Sequence, residues 1–488
     1  MAADTWLSGV SNMGFSAAAP FSIVVAFAIV VLLVDLLLPP QRRWVLPVLS
    51  LVGVVLSMAL VALWWGREVV GFSGAISLDR FSSFFDLLFL LGTSLVILSS
   101  FLYAKRENIE GGEYYSLLLF ATSGAMLMAS AVDLIVFFLG LEILSVSLYV
   151  LSGFFRERTV SIEAAVKYFV LGAFASGFFL YGIALFYGAA GSTQYGAMQL
   201  MLTSGGRPPG ILVYAASGLL LVGLCFKLGS VPFHMWVPDV YEGAPTSITG
   251  YMSVISKAAA FAAFVRIFGT SLAPIQIDLS RVLWVLAVAT MTLGNLVAIS
   301  QTNIKRMLAY SSIAHAGYLL VALTAGGKAG YSSILFYTLA YAFMTLGAFG
   351  IVALLRRKEG EALEILSYSG LSVRYPLLAG AMALFMVSLA GIPPTGGFFA
   401  KFYVFSAAVG AGYVDLAVIG VLNSLVSVYF YMRIVFLMYM KEEVGGIEAS
   451  SSYAARVALA VCVVGTLAMG VFPSGFADLV ASSVSAIF

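Results

Sequence analysis

The chain has 488 residues, of which 61% are hydrophobic and 10% charged, with a formal net charge of +2. Ordinary soluble domains carry roughly 25% charged residues, so a soluble catalytic fold is excluded, and a charge so near zero gives nucleic acid no electrostatic footprint. The two cysteines, Cys225 and Cys462, lie far apart in apolar runs, which leaves neither a disulfide framework nor a cysteine-ligated metal site.

The opening stretch "MAADTWLSGVSNMGFSAAAP" lacks the basic region of a cleavable signal, and the apolar run after it continues for a full span. It reads as a retained first helix. At about twenty residues per crossing, apolar segments fall at 20–38, 44–65, 80–104, 113–131, 133–154, 161–188, 211–237, 244–268, 279–300, 303–324, 329–355, 376–409, 412–439 and 453–472. The expected fold is therefore an all-α polytopic membrane protein of about 14 transmembrane helices, a single membrane domain over 1–488. Within it, 1–112 holds three N-terminal helices, 113–270 a five-helix unit, 278–440 a second five-helix unit and 441–488 a C-terminal helix.

Connections after odd-numbered crossings carry fourteen Lys and Arg, among them Lys305, Arg306 and Lys358; those after even-numbered crossings carry six, among them Arg207 and Arg266. The positive-inside rule then puts the odd connections in the cytoplasm and both termini outside. The loop "TSGGRPPG" is turn-rich and external, with no preceding strand and no lysine-serine pair to make it a phosphate cradle.

Five cations remain inside the spans: Lys167, Lys227, Lys257, Lys401 and Arg433. Charges at the bilayer centre are costly, about 2.5 to 3.5 kcal/mol on insertion scales, and mark ion pathways. Glu142 is the mid-span acid, whereas Asp35 and Asp86 sit a turn or two from the ends of their spans, within reach of an interface. Lys167 reads as a further functional cation, with snorkelling as the alternative because it follows "SIEAAV" so closely, and Arg433, near Lys441, reads as an interfacial anchor. His315 in "SSIAHAGYLL" is the relay candidate. His234 reads equally as a proton carrier or a structural helix-end residue.

The segments "LLLVGLCFKLGSVPF" and "ALFMVSLAGIPPTGGF" share the element L-[GA]-[SG]-[VI]-P, which sets Pro232 opposite Pro393. Pro232 should free the carbonyl of Leu228, and Pro393 with Pro394 those of Leu389 and Ala390. Five crossings per unit make the second enter from the opposite side, an inverted repeat with one broken helix in each half, the pattern of a transport site. Burial lowers a lysine's hold on its proton and a nearby carboxylate raises it, so a lysine held between those influences would load and release a proton near neutral pH, and Glu142 is the natural counter-charge for one of the buried lysines.

The stretches "KLGSVPFHMWVPDVYEGAPTSITGYMSVISKAAAF", "QTNIKRMLAYSSIAHAGYLL" and "SLAGIPPTGGFFAKFYVF" resemble the antiporter-like membrane subunits of proton-pumping NADH:quinone oxidoreductase, respiratory complex I. "VISKAAA", Lys401 in place of a glutamate, and a chain that ends too soon for a lateral helix favour the subunit N branch over L and M. The resemblance implies that Glu142, Lys227, Lys257 and Lys401 are the family's proton-carrying charges, with Glu142 the partner of Lys227 and Lys167 the further lysine of this branch. It also implies a translocase driven by quinone reduction elsewhere, with FMN, iron-sulfur clusters and quinone held by partner subunits and none by this chain. The implied neighbours are subunit M and small subunits such as K and J, in a bacterial inner membrane. Two other readings stay open: a subunit of a multi-subunit Na+/H+ antiporter, and a structural membrane anchor with static charges.

Overall fold

A computed structural model describes residues 14–204, 210–357, 360–443, 446–450 and 452–488. Arg207 and Lys358, the core of the "TSGGRPPG" loop and most of the N-terminal stretch lie outside the described residues.

Apolar composition and length dictate helices throughout, because a backbone in hydrocarbon must satisfy its own hydrogen bonds. In chain order they are α1 (Phe15–Leu37), α2 (Val45–Leu63), α3 (Arg80–Arg106), α4 (Gly112–Ser130), α5 (Leu134–Ser152), α6 (Thr159–Ala190), α7 (Tyr195–Ser204) and α8 (Ile211–Leu228). There follow α9 (Trp236–Gly243), α10 (Thr246–Ser271), α11 (Gln276–Ile299), α12 (Ile304–Ala325), α13 (Gly327–Leu354), α14 (Pro376–Ala390), α15 (Gly396–Gly410), α16 (Val414–Met440), α17 (Tyr453–Val471) and α18 (Pro473–Val484).

Among the described residues, twelve helices are long and apolar enough to cross a membrane. Two of the fourteen expected crossings account for the difference. The segment at 113–131 is a helix, α4, but a more polar one, and the segment at 376–409 divides into α14 and α15, 15 residues each. Short strands β1 (Val69–Gly71) and β2 (Ile76–Leu78) form an antiparallel hairpin with Val70 opposite Ser77. Strand β3 (Leu355–Arg357) pairs antiparallel with both β4 (Gly360–Glu361) and β5 (Glu448–Ala449), tying the end of α13 to the approach to α17.

Helix starts are set by side chains that accept the orphan N–H groups of the first turn. Asp79 and Ser82 form a reciprocal box at α3, and Asp133 and Asn303 cap α5 and α12. Close helix pairs use glycine where backbones touch. A Cβ at Gly124 of α4 would lie 2.6 Å from the backbone of Leu144 on α5, and one at Gly294 of α11 would lie 2.6 Å from that of Ala314 on α12.

Three helices, α10, α12 and α13, are almost wholly enclosed by the others. The periphery is apolar: α6 turns Phe169, Phe174 and Phe178 outward, and α16 turns out Val418, Leu422 and Leu425. That distribution suits hydrocarbon around the bundle and leaves the enclosed helices as the place where buried charge is concentrated.

Candidate proton path

Lys227 occupies the last turn of α8 and is 3% exposed. Its Nζ donates to Ser145 Oγ at 2.9 Å and to the Tyr168 hydroxyl at 3.4 Å, above a ring whose centroid is 5.7 Å away. Ser145 gives its own proton to the Leu141 carbonyl, so its lone pairs face the ammonium. Glu142 is one turn earlier on the same face of α5, yet it forms no ion pair with Lys227; its Oε1 accepts from Ser176 on α6 at 2.5 Å. Glu142 is thus within electrostatic reach of Lys227 without touching it: serine and tyrosine hydroxyls hold the lysine, and the counter-charge lies a turn away.

Just past Lys227 the helix stops. Gly229, at φ 69°, directs its own N–H to the Phe226 carbonyl, and that of Ser230 to Cys225, closing the end as a glycine C-cap does. With the helix ended at Leu228, the Phe226 carbonyl gains a side-chain donor, Trp236 Nε1 at 3.0 Å. Trp236 stacks on Tyr168 with centroids 4.3 Å apart, so the residue that closes the break also fixes the tyrosine against Lys227.

The second break repeats the device. Gly391, at φ 85°, caps α14, and here the lysine itself supplies the missing donor: Lys401 Nζ reaches back to the Ala390 carbonyl at 2.9 Å and to Ser424 Oγ on α16 at 2.8 Å. The two capping glycines correspond, which places Pro232 opposite Pro394; the shared sequence element, setting it opposite Pro393, is one residue out of step.

Between the breaks lies Lys257, 4% exposed, directly after a π-helical turn at Met252–Ser256 in α10. Its Nζ donates to the Ser312 carbonyl at 2.7 Å. One turn along α12, His315 Nδ1 meets the Tyr337 hydroxyl at 2.5 Å and Nε2 that of Tyr431 at 3.0 Å; Tyr431 also pairs with Ser311. Lys257, Ser312, His315, Thr338 and Tyr341 line a cavity with about 10 Å³ open to the centre of a water molecule, about the space one water needs. Tyr318 bridges onward, its ring 5.7 Å from that of His315 and 5.0 Å beneath Lys401 Nζ.

Residues 131–427 match the family model described as NADH:quinone oxidoreductase/Mrp antiporter, TM. The chain is 47% identical over 458 residues to NADH-quinone oxidoreductase subunit N of Trichlorobacter lovleyi, covering 93% of this chain and 94% of that one. It is 46% identical to subunit N 2 of Rhizobium meliloti, with 96% and 97% covered. The chain belongs to the NADH-quinone oxidoreductase subunit N family. Its fold agrees with a chain of respiratory complex I from Thermus thermophilus solved with bound aureothin, at a TM-score of 0.81 and 35% identity over 95% of this chain and 99% of that one.

Other members of the expected set stand apart from Lys227, Lys257 and Lys401 of this subunit N family chain. The Lys167 side chain is 41% exposed, and its Nζ lies 2.6 Å from both Glu163 and Asp239. Arg306 joins Asp239 and Glu242, so a charged cluster ties α9 to the start of α12. Arg433 donates to the carbonyls of Ile299 and Gln301 at the end of α11, and His234 sits half-buried in the first break.

Three residues assigned to loops or interfaces are interior instead. Lys305 is 1% exposed and donates to the Ala244 carbonyl; Arg266 is 4% exposed in a bidentate pair with Asp79; Asp86 is 3% exposed. The partners of these lysines and of His315, which are the hydroxyls of Ser145, Tyr168, Tyr337, Tyr431 and Ser424 and the carbonyl of Ser312, carry no sequence signal among 24 tyrosines and many serines in apolar helices. Among the described residues no group of three or more His, Cys, Asp or Glu is placed to hold a metal ion.

Proposed function

We propose that this chain translocates protons in the membrane arm of an NADH:quinone oxidoreductase, through Lys227, Lys257 and Lys401 with His315 between the last two, driven by quinone reduction in other subunits. One observation carries the reading. Each of these three ammonium groups is held by neutral acceptors and none by a carboxylate. A lysine paired with a buried carboxylate would strand an anion on losing its proton, whereas one held by hydroxyls and carbonyls loses it without that penalty. These lysines are built to be neutral part of the time.

Glu142 biases Lys227 from a turn away. It is half-buried on a face where Leu139, Ile143 and Val146 point outward, the face on which this reading seats a neighbouring subunit. That fits membrane-arm partners such as subunits M, K and J, with flavin, iron-sulfur clusters and quinone held elsewhere and the reaction class that of a translocase. Lys167, with Asp239 and Arg306, forms the approach to the first half-path. The matching glycine-capped breaks and glycine-matched pairs α4–α5 and α11–α12 support two inverted five-helix units within 113–270 and 278–440, after three N-terminal helices and before a C-terminal one. Removing Arg266 and Lys305 from the loop tally leaves the charge bias on the same side, so both termini face the outside of a bacterial inner membrane.

A proton crossing about 100 mV requires about 2.3 kcal/mol, which modest movement of Glu142 relative to Lys227 supplies. In membrane vesicles holding the assembled complex, Lys227→Ala and Lys257→Ala should lower the number of protons moved per NADH oxidised. An unchanged ratio in an assembled complex would end the proposal.

A further inference from the structure

Helix α3 packs against α2 on one side and against α13 and α18 on another. Between these four helices lies a groove of about 280 Å³, lined by Ala62, Phe84, Leu88, Leu91, Leu339 and Leu479. Leu87 and Trp65 complete the lining, so among the described residues the indole N–H is the one polar side-chain group in it. Such a wall offers water and ions nothing to bind. The groove has the depth of one leaflet. Leu91 is eleven residues beyond Arg80, the first residue of α3, and Leu339 is twelve beyond Gly327, the first of α13, which is about 16 and 18 Å along the two helices. Half of a hydrocarbon core is about 15 Å. The groove therefore runs from the membrane surface, where Trp65 sits as interfacial tryptophans do, to the midplane. A helix with its side chains is about 10 to 12 Å across and needs far more room, whereas one acyl chain does not.

Two guanidinium groups meet at its mouth. Arg80, one turn before Phe84 on the same face of α3, lies over the turn that ends α2: a Cβ built on Gly66 would be 3.3 Å from Arg80 Nε. Arg67 follows in that turn, its Cζ 5.3 Å from the Trp64 ring centroid. Both arginines are exposed, and among the described residues neither forms an ion pair, although Glu68 is adjacent in the chain. A groove one leaflet deep, apolar throughout and headed by two unpaired cations at the level of lipid headgroups, complements a molecule with an anionic head and a hydrocarbon tail.

We propose that this groove seats one acyl chain of an anionic phospholipid whose headgroup phosphate lies between Arg67 and Arg80. The end of the chain reaches the level of Leu91 and Leu339, and the other chain stays in the bilayer. Seated there, the lipid fills the seam between the N-terminal helices α2 and α3 and the later helices α13 and α18. The assignment does not depend on the translocation reading.

The test uses the assembled complex in phosphatidylcholine vesicles doped with phosphatidylglycerol or phosphatidylcholine carrying a diazirine at the end of one acyl chain. After illumination, mass spectrometry locates the labelled peptides. Phosphatidylglycerol should label the Leu88–Leu91 stretch of α3 and the stretch around Leu339 more heavily than phosphatidylcholine does, by about fivefold for each arginine. Arg67→Gln combined with Arg80→Gln should bring it down to the phosphatidylcholine level, and Leu339→Trp, which narrows the groove, should lower labelling by both lipids. Equal labelling by the two lipids in the unmodified complex would mean ordinary boundary lipid and overturn the proposal. No labelling by either would mean that a neighbouring subunit closes the groove, and overturns it as well. A preference for phosphatidylglycerol that survives loss of both arginines overturns the headgroup seat. The first comparison needs no variant, so a failure of assembly cannot hide the answer.

Discussion

Lys401 shows how one residue answers two demands. The break at Gly391 leaves the Ala390 carbonyl without a helical donor, and the lysine that would otherwise be a bare charge in the interior satisfies it. Geometry at residue 391 enforces the contact, since a Cβ there would lie 2.8 Å from Lys401 Cδ, at a φ of 85° that side chains resist by about 1 to 2 kcal/mol. Gly391→Ala should therefore displace Lys401 and lower the proton ratio toward that of Lys401→Ala. Gly412→Ala is the control, because Gly412 has a φ of 89° but nothing within 4 Å. It should keep the ratio, and measuring both variants in vesicles separates backbone strain from loss of the lysine's seat. The lysines themselves were legible in the sequence, as charge inside an apolar run is anomalous whatever surrounds it. Their partners were not, since Ser145, Tyr168 and Ser424 are ordinary membrane-helix residues until folding brings them to an ammonium.

At the scale of elements, the breaks were legible from proline and glycine, but their closure was not. Trp236 lies ten residues beyond the carbonyl it satisfies, and only the folded turn brings its indole back. The Gly229 N–H still serves the Phe226 carbonyl, so Trp236→Phe should cost about 1 kcal/mol for the lost bond. Trp236→Ala also removes the stack on Tyr168 and should cost about 3 to 5 kcal/mol. Heat tolerance of NADH-driven pumping should fall in that order, with Trp236→Ala losing assembly at growth temperature. The out-of-step pairing of Pro232 with Pro393 has the same origin: the short shared element matched residue types, whereas the chain reverses hand at the glycines. Sequence likeness over five residues gives way to the position of the cap.

The whole molecule depends on what joins its parts, and here the sequence misleads most where a charge sits near the end of a span. Arg266, Lys305 and Asp86 all occupy such positions, and hydropathy alone sends them to the interface; each is drawn inward by a partner or a packed helix contributed by distant chain. Arg266 is the tie with the largest consequence, since it fastens the N-terminal helices, through Asp79, to the helix that carries Lys257. A buried pair is not strongly stabilising in itself, but removing one member leaves the other charge unmatched at a cost of about 3 to 5 kcal/mol. Arg266→Ala should therefore prevent accumulation of the chain in membranes. Asp79→Ala combined with Arg266→Ala removes both charges, and although it also loses the α3 cap, it should accumulate to a higher level than Arg266→Ala alone. A double variant no better than the single one would mean that Arg266 acts chiefly by packing against Phe81, 4.8 Å beneath its guanidinium, and by holding the Ala129 carbonyl. Quantitative immunoblotting of isolated membranes reads the difference.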